Sequence, residues 1–157
     1  MQYEEFISAV EQRAGGIPRE QAEKVTSATL QTLAERITAG EAVDLAAQLP
    51  KALKDDLRKQ RPEAEAFGLQ EFVDRVAQRV GEPPSEAREH VRAVLTTVRE
   101  AVSGGEFDDI MQQLPDEFWQ VVEPTSWRGG PRPADIRAGA GQQGGAATGT
   151  QAPPPPA

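Results

Sequence analysis

The sequence predicts an all-α protein: a helical bundle from two tandem copies of a four-helix unit, followed by a disordered C-terminal tail. Three observations predict this architecture. A long segment recurs 65 to 66 residues later, and the apolar residues of each copy recur at helical spacing. The last 35 residues hold 7 of the 14 glycines and 7 of the 13 prolines, a composition that cannot form a core.

The repeat begins with Glu5 and Phe6, which recur as Glu71 and Phe72 after 66 residues. Beyond the next glycine pair the offset becomes 65, and ten identical residues follow in register. In the first copy these residues are Pro18, Ala22, Ala28, Leu30, Gly40, Glu41, Asp44, Gln48, Leu49 and Pro50. Generic amphipathic periodicity would not repeat glycine and proline together with the apolar positions, so we interpret the pattern as a duplication.

The first two helices of the second copy have recognisable ends. The first helix carries one apolar stripe and ends at Gly81. Pro83 or Pro84 suits the first turn of the second helix, where a missing N–H costs nothing, and the pair Gly104 and Gly105 closes it. The apolar positions of the two helices are Leu69, Phe72, Val73, Val76, Ala77, Val80, Val91, Val94, Leu95, Val98 and Val102.

Two shorter helices complete the second copy, and the second of them opens at Pro115. Their apolar positions are Phe107, Ile110, Met111 and Leu114, then Phe118, Trp119 and Val122. We expect copy one over about 3–58 and copy two over about 69–122, docked as one domain of residues 1–122. Docking is expected because a unit of under 60 residues buries little surface alone. Residues 123–157 form the predicted tail.

These features carry a family resemblance. The Glu-Phe opening, the proline-led long helix and the segment from Gly-Glu to Gln-Leu-Pro all occur twice. In this combination, over about residues 3–122, the chain resembles the bacterial domain of unknown function family 2267. The resemblance implies a helical fold and a bacterial cytoplasmic setting. It implies no activity, cofactor or catalytic residue.

Composition removes several classes of function. The chain has no cysteine and one histidine, which excludes disulfides, thiolate chemistry and Cys/His metal sites. Residues 123–157 carry three arginines against two acids, so the first 122 residues hold a net charge of -9 within the total of -8. Such a charge repels phosphate backbones, and we expect no nucleic-acid binding. The start lacks a signal-peptide pattern and no stretch is apolar enough to span a bilayer, so we expect a cytoplasmic protein.

His90 is the first residue to consider for catalysis, because imidazole transfers protons near neutral pH. Its counterpart in the first copy is Val25, and that exchange favours a packing role. No nucleophile, base and orienting group can be assembled, so we expect no enzyme, no catalytic residue and no cofactor or metal assignment.

Glu41, Asp44 and Gln48 share one helix face, and they recur as Glu106, Asp109 and Gln113. Two such patches would suit a cation or a basic partner. The ordinary interpretation is that acids near a helix N-terminus complement the helix dipole while facing water, and we favour it. A basic group around the junction between the copies also fits a solvated helix end. Its members are Lys51, Lys54, Arg58, Lys59 and Arg61.

The second copy differs from the first at two aromatic positions. Trp119 stands where the first copy has Lys54, and Phe107 stands where it has Ala42. If Lys54 faces water, something must cover Trp119: the other copy, Trp127 of the tail, a second subunit or a partner protein. We favour the other copy.

The tail offers weaker signals. Residues 139–144 match a dinucleotide fingerprint in letters only, since no strand precedes them and no helix follows. The proline run 153–156 predicts polyproline II, suited to an aromatic groove of a partner or simply to a stiff, soluble end. We predict a non-enzymatic module that works through an unidentified protein partner, with Trp119, Phe107 and Trp127 as candidate contacts. The alternative is a small apolar ligand bound between the copies.

Overall fold

The computed structural model describes the backbone of residues 1–126 and the side chains of residues 1–122. Over these residues the chain forms seven α-helices and two 3-10 helices with no β-strand, which confirms the predicted all-α class. They are α1 (Tyr3–Arg13), α2 (Arg19–Arg36), α3 (Ala39–Gln48), a first 3-10 helix (Lys51–Leu57), α4 (Leu69–Val80), α5 (Pro84–Ala101), α6 (Gly104–Gln112), a second 3-10 helix (Asp116–Phe118) and α7 (Trp119–Ser126). The predicted contact Trp127, the motif at 139–144 and the proline run 153–156 lie outside the described residues.

The glycine and proline positions in the sequence correctly predict where α4 ends and where α5 begins. Gly81 adopts a left-handed conformation with φ +76° directly after α4, which is the usual way an α-helix is closed. Pro84 occupies the first position of α5. The fourth element of the first copy, predicted as a helix, is a 3-10 helix of seven residues, whereas its counterpart continues into α7. Seven residues is long for a 3-10 helix, because the hydrogen-bond geometry of this form is poorer than that of an α-helix.

The core draws on helices from both halves of the sequence. α2 packs against α4 and α5, α1 packs against α5, and α3 packs against α6. Phe72 of α4 meets Phe118 edge to face, with ring centroids 5.3 Å apart. Together the described helices make one compact unit, Met1–Thr125. None of them combines the length and apolarity needed to cross a bilayer.

The linker 58–68 between the halves is fixed by Arg75 of α4. The Arg75 guanidinium lies 3.8 Å from the centre of the Phe67 ring and forms ion pairs with Glu35 at 2.9 Å and Glu65 at 3.0 Å. One side chain thereby joins the linker to both α2 and α4. The contact is specific to arginine, because only a planar guanidinium stacks on a ring while its edges bind two carboxylates.

We predict that Gly81→Ala destabilises the protein by about 1 kcal/mol, because an added Cβ strains a residue held at positive φ. Nothing lies within 4 Å of that Cβ position, so the loss would be conformational alone. Gly104→Ala is the matched control, since Gly104 opens α6 and its Cβ position is equally open. Urea unfolding should show a loss for Gly81→Ala and none for Gly104→Ala. Equal losses of stability for both substitutions would contradict a requirement for glycine in the left-handed conformation at position 81.

Candidate functional site

α3 and α6 are joined by a reciprocal pair of hydrogen bonds. The backbone N–H of Thr38, just before α3, donates to Oε1 of Gln113 at 2.9 Å. The backbone N–H of Ser103, just before α6, donates to Oε1 of Gln48 at 2.7 Å. Because each glutamine lies at the C-terminal end of its own helix, the two helices run antiparallel and each caps the start of the other.

This exchange changes the role of the glutamate in each first turn. Thr38 with Glu41, and Ser103 with Glu106, have the spacing of a capping box. Half of each box forms, because the Thr38 hydroxyl accepts the Glu41 N–H at 3.2 Å and the Ser103 hydroxyl accepts the Glu106 N–H at 3.1 Å. The other half does not form, since a glutamine of the facing helix already accepts the N–H that the glutamate would bind.

α1 shows what the same position does without such a partner. There the backbone N–H of Gln2 donates to Oε1 of Glu5 at 2.8 Å, and the capping box is complete. Glu5 is therefore bound to its own helix, whereas Glu41 and Glu106 are released from that role. Their carboxylates turn to the junction between α3 and α6.

The two released glutamates are buried. Glu41 is 9% exposed and Glu106 is 7% exposed, and the Oε2 atom of each is buried without a hydrogen-bond partner among the described residues. One carboxylate oxygen each from Glu41, Glu106 and Asp109 lie within 4.8 Å of one another. Asp44 and Asp109 lie one turn further along their helices and are exposed. We call Glu41, Asp44, Glu106 and Asp109 the carboxylate cluster.

Burial and neighbouring negative charges disfavour the ionised form of Glu106 in the carboxylate cluster. Burial raises the pKa of Glu106 to about 8, and a hydrogen bond with Glu41 and the negative charges of Glu41, Asp44 and Asp109 add to the rise. Each of these effects penalises the ionised carboxylate. Near neutral pH the cluster therefore retains a proton unless another positive charge takes its place.

The structure corrects the sequence-based interpretation of these acids. The favoured expectation, that they face water near helix N-termini, is right for Asp44 and Asp109 and wrong for Glu41 and Glu106. It failed because a single amphipathic helix does not show which of its polar faces another helix covers. The available signal was that Ser/Thr, Glu and Gln recur at identical spacing in both halves of the sequence.

His90 has a structural partner that the sequence did not reveal. It is buried on α5, and its Nδ1 lies 2.7 Å from Oε1 of Glu82 in the turn before α5. The other oxygen of Glu82 accepts a hydrogen bond from Gln21 of α2 at 2.8 Å. The chain Gln21, Glu82, His90 ties the turn to two helices, in line with the packing role expected for His90.

Trp119 and Phe107 cover each other inside the core. Trp119 is 6% exposed and Phe107 is 3% exposed, with ring centroids 5.9 Å apart at 77°. Lys54 at the corresponding place in the first half is exposed. Both rings are therefore largely enclosed, and neither offers a partner an open surface in this arrangement.

Among the basic residues between the two halves of the sequence, Lys59 binds backbone carbonyls at the end of α2. Its ammonium group donates to the carbonyls of Ala34 at 2.6 Å and Ile37 at 2.8 Å, which lie at the end of α2. This placement agrees with the expectation that a helix C-terminus attracts these charges.

Over the described residues, the fold and the site define an all-α protein with a carboxylate cluster, two of its four members buried, between two antiparallel helices. The family model described as "Uncharacterized conserved protein (DUF2267)" matches residues 3–121, and the chain belongs to this family. The resemblance noted from the repeated motifs is thereby confirmed. A comparison with curated proteins gives no match.

The raised pKa of Glu106 predicts a pH-dependent stability. Because the folded pKa of about 8 lies above the ordinary 4.5, the stabilisation is complete below about pH 4.5 and is lost as the pH rises through about 8. With a chelator present, the free energy of unfolding should fall by the order of 2 kcal/mol between about pH 5 and about pH 9. Urea unfolding at each pH measures it.

Glu106→Gln should remove most of this slope, whereas Glu5→Gln, the same change at the same helical position of α1, should preserve it. A wild-type slope no steeper than that of Glu106→Gln would contradict the assignment.

Proposed function

We propose that this chain is a non-enzymatic binding module whose ligand is a cationic group held by the carboxylate cluster. The observation that supports this most directly is that Glu41 and Glu106 are buried beside each other, and that no amide, hydroxyl or cationic group of the described residues donates to the Oε2 atom of either one. A buried carboxylate oxygen without such a donor costs free energy, and most buried polar atoms in folded proteins have a hydrogen-bond partner. A cation satisfies both atoms and offsets the charge.

The electrostatics of the body favour such a ligand. The first 122 residues carry a net charge of -9, which raises the local concentration of cations. Asp44 and Asp109 are exposed and add their negative charges to those of the buried pair. The cationic group is either a metal ion or a lysine or arginine side chain of a protein partner, and the second source retains the expected interaction role.

An apolar ligand between the halves receives less support. A cavity of about 540 Å³ lies among α2, the first 3-10 helix, the linker and α4. Eight of its eleven lining residues are charged, among them Glu35, Lys59, Arg61 and Arg79. Small-molecule pockets are typically lined by apolar and aromatic side chains. This cavity therefore suits water and ions better than an apolar molecule.

A body of this charge is proposed to bind no nucleic acid and no membrane, because both present anionic surfaces. A cytoplasmic location is proposed on the ground that a chain without cysteine gains nothing from an oxidising compartment.

Thermal unfolding of the full chain tests the proposal. MnCl₂, CaCl₂, MgCl₂ and a short peptide rich in lysine and arginine would be added separately, each against NaCl of equal ionic strength. We expect at least one to raise the unfolding temperature by roughly 10 °C at a hundredfold excess over its Kd. The double variant Glu41→Gln/Glu106→Gln should lose this response.

Glu5→Gln and Asp108→Asn are the matched controls and should respond like the wild type. Glu5→Gln makes the same chemical change in a completed capping box, and Asp108→Asn removes an exposed acid of α6 outside the cluster. If no addition exceeds the NaCl control, or if the double variant responds equally, the proposed function fails.

A further inference from the structure

We propose that the cationic group is a hard divalent metal ion of the class Mg²⁺, Mn²⁺ and Ca²⁺, bound by Glu41, Glu106 and Asp109 with Asp44 beside them. This inference rests on the proposed function and decides between its two sources. It depends on the kind of donor atom, the spacing of the donors, their burial and the charge of the cluster.

The donor atoms select a hard cation. The cluster contains carboxylate oxygens and no imidazole or thiolate; His90 is engaged with Glu82, and the chain has no cysteine. Oxygen-only sites favour Mg²⁺, Ca²⁺ and Mn²⁺, whereas zinc and copper sites are typically built from histidine and cysteine. The set of donors therefore excludes the softer metals as the natural ligand.

The spacing fits one coordination shell. Two oxygens on opposite sides of an ion are separated by twice the metal–oxygen distance, roughly 4.1 Å for Mg²⁺ and roughly 4.8 Å for Ca²⁺. The oxygens of Glu41, Glu106 and Asp109 all lie within 4.8 Å of one another. Small rotations of these three side chains would bring the oxygens to the metal–oxygen distance of a single ion.

Burial and charge favour a metal ion over a side chain from a partner. Glu41 and Glu106 are more than nine-tenths buried, so a lysine or arginine would have to thread its aliphatic stem into the junction. A small ion needs no such channel. A monovalent group would also leave three of the four formal negative charges uncompensated, whereas a divalent ion leaves two.

The geometry of the helix ends explains how the site is kept ready. Gln48 and Gln113 hold the N-cap N–H groups that would otherwise draw the glutamates back to their own helices. The carboxylates thus remain at the junction before any ion arrives. Preorganised ligands of this kind raise affinity by removing the cost of ordering them on binding.

Titration with Mn²⁺, followed by electron paramagnetic resonance of the free ion, tests the inference. The full chain would first be freed of metal with a chelator and exchanged into buffer of physiological ionic strength. We expect one Mn²⁺ per chain, displaced by Ca²⁺ or Mg²⁺. Glu41→Gln/Glu106→Gln should weaken binding at least about tenfold, since affinity follows the number of charged ligands.

Asp109→Asn is the second variant. Asp109 is exposed, so the substitution preserves the fold and should still weaken Mn²⁺ binding severalfold. Glu5→Gln and Asp108→Asn should bind like the wild type. Bound Mn²⁺ should also broaden the NMR signals of the side-chain amides of Gln48 and Gln113 while sparing the amide of Gly81.

The outcomes separate the two proposals. Equal Mn²⁺ binding by the wild type and the double variant would place the ion elsewhere and overturn the inference. If Mn²⁺, Ca²⁺ and Mg²⁺ all fail to bind while the basic peptide still stabilises the wild type, the inference fails and the proposed function stands. If neither the metal ions nor the basic peptide bind, the inference and the proposed function both fail, and the carboxylate cluster holds only a shared proton.

Discussion

The exchange of two glutamine side chains between α3 and α6 is the interaction on which the carboxylate cluster depends. Gln48 and Gln113 each accept the N–H that begins the facing helix, at 2.7 Å and 2.9 Å. An unmet N–H at a helix start requires a partner, and a glutamate of the same helix is the usual one. Because the glutamines supply that partner, Glu41 and Glu106 are left to face each other in a buried junction.

The burial of two acids in the junction between α3 and α6 costs the folded chain free energy. Most buried polar atoms in folded proteins have a hydrogen-bond partner. Here no amide, hydroxyl or cationic group of the described residues donates to Oε2 of Glu41 or Glu106, and burial and the acidic neighbours raise the pKa of Glu106 to about 8. Glu82, whose side chain is 9% exposed, is by contrast bound at both oxygens by His90 and Gln21. The contrast points to a ligand for the first site and to a structural role for the second.

The rest of the fold supplies a firm frame for the cluster. Phe107, directly after Glu106, packs edge to face on Trp119, so the start of α6 is anchored in the core. Arg75 fixes the linker between the halves to α2 and α4. The spacing of the carboxylates is therefore set by packed helices, which position ligands more accurately than loops do.

The sequence by itself determined the helical class, the helix closure at Gly81, the recurrence of the acids and glutamines at an offset of 65, and the family. Local chemistry and periodicity carry that information. Only the tertiary structure decided that Glu41 and Glu106 are buried and that Trp119 is buried against Phe107. Each of these facts depends on which faces of two helices meet. Periodicity orders the residues around one helix axis, but the contact between two axes is set by the packing of the whole core.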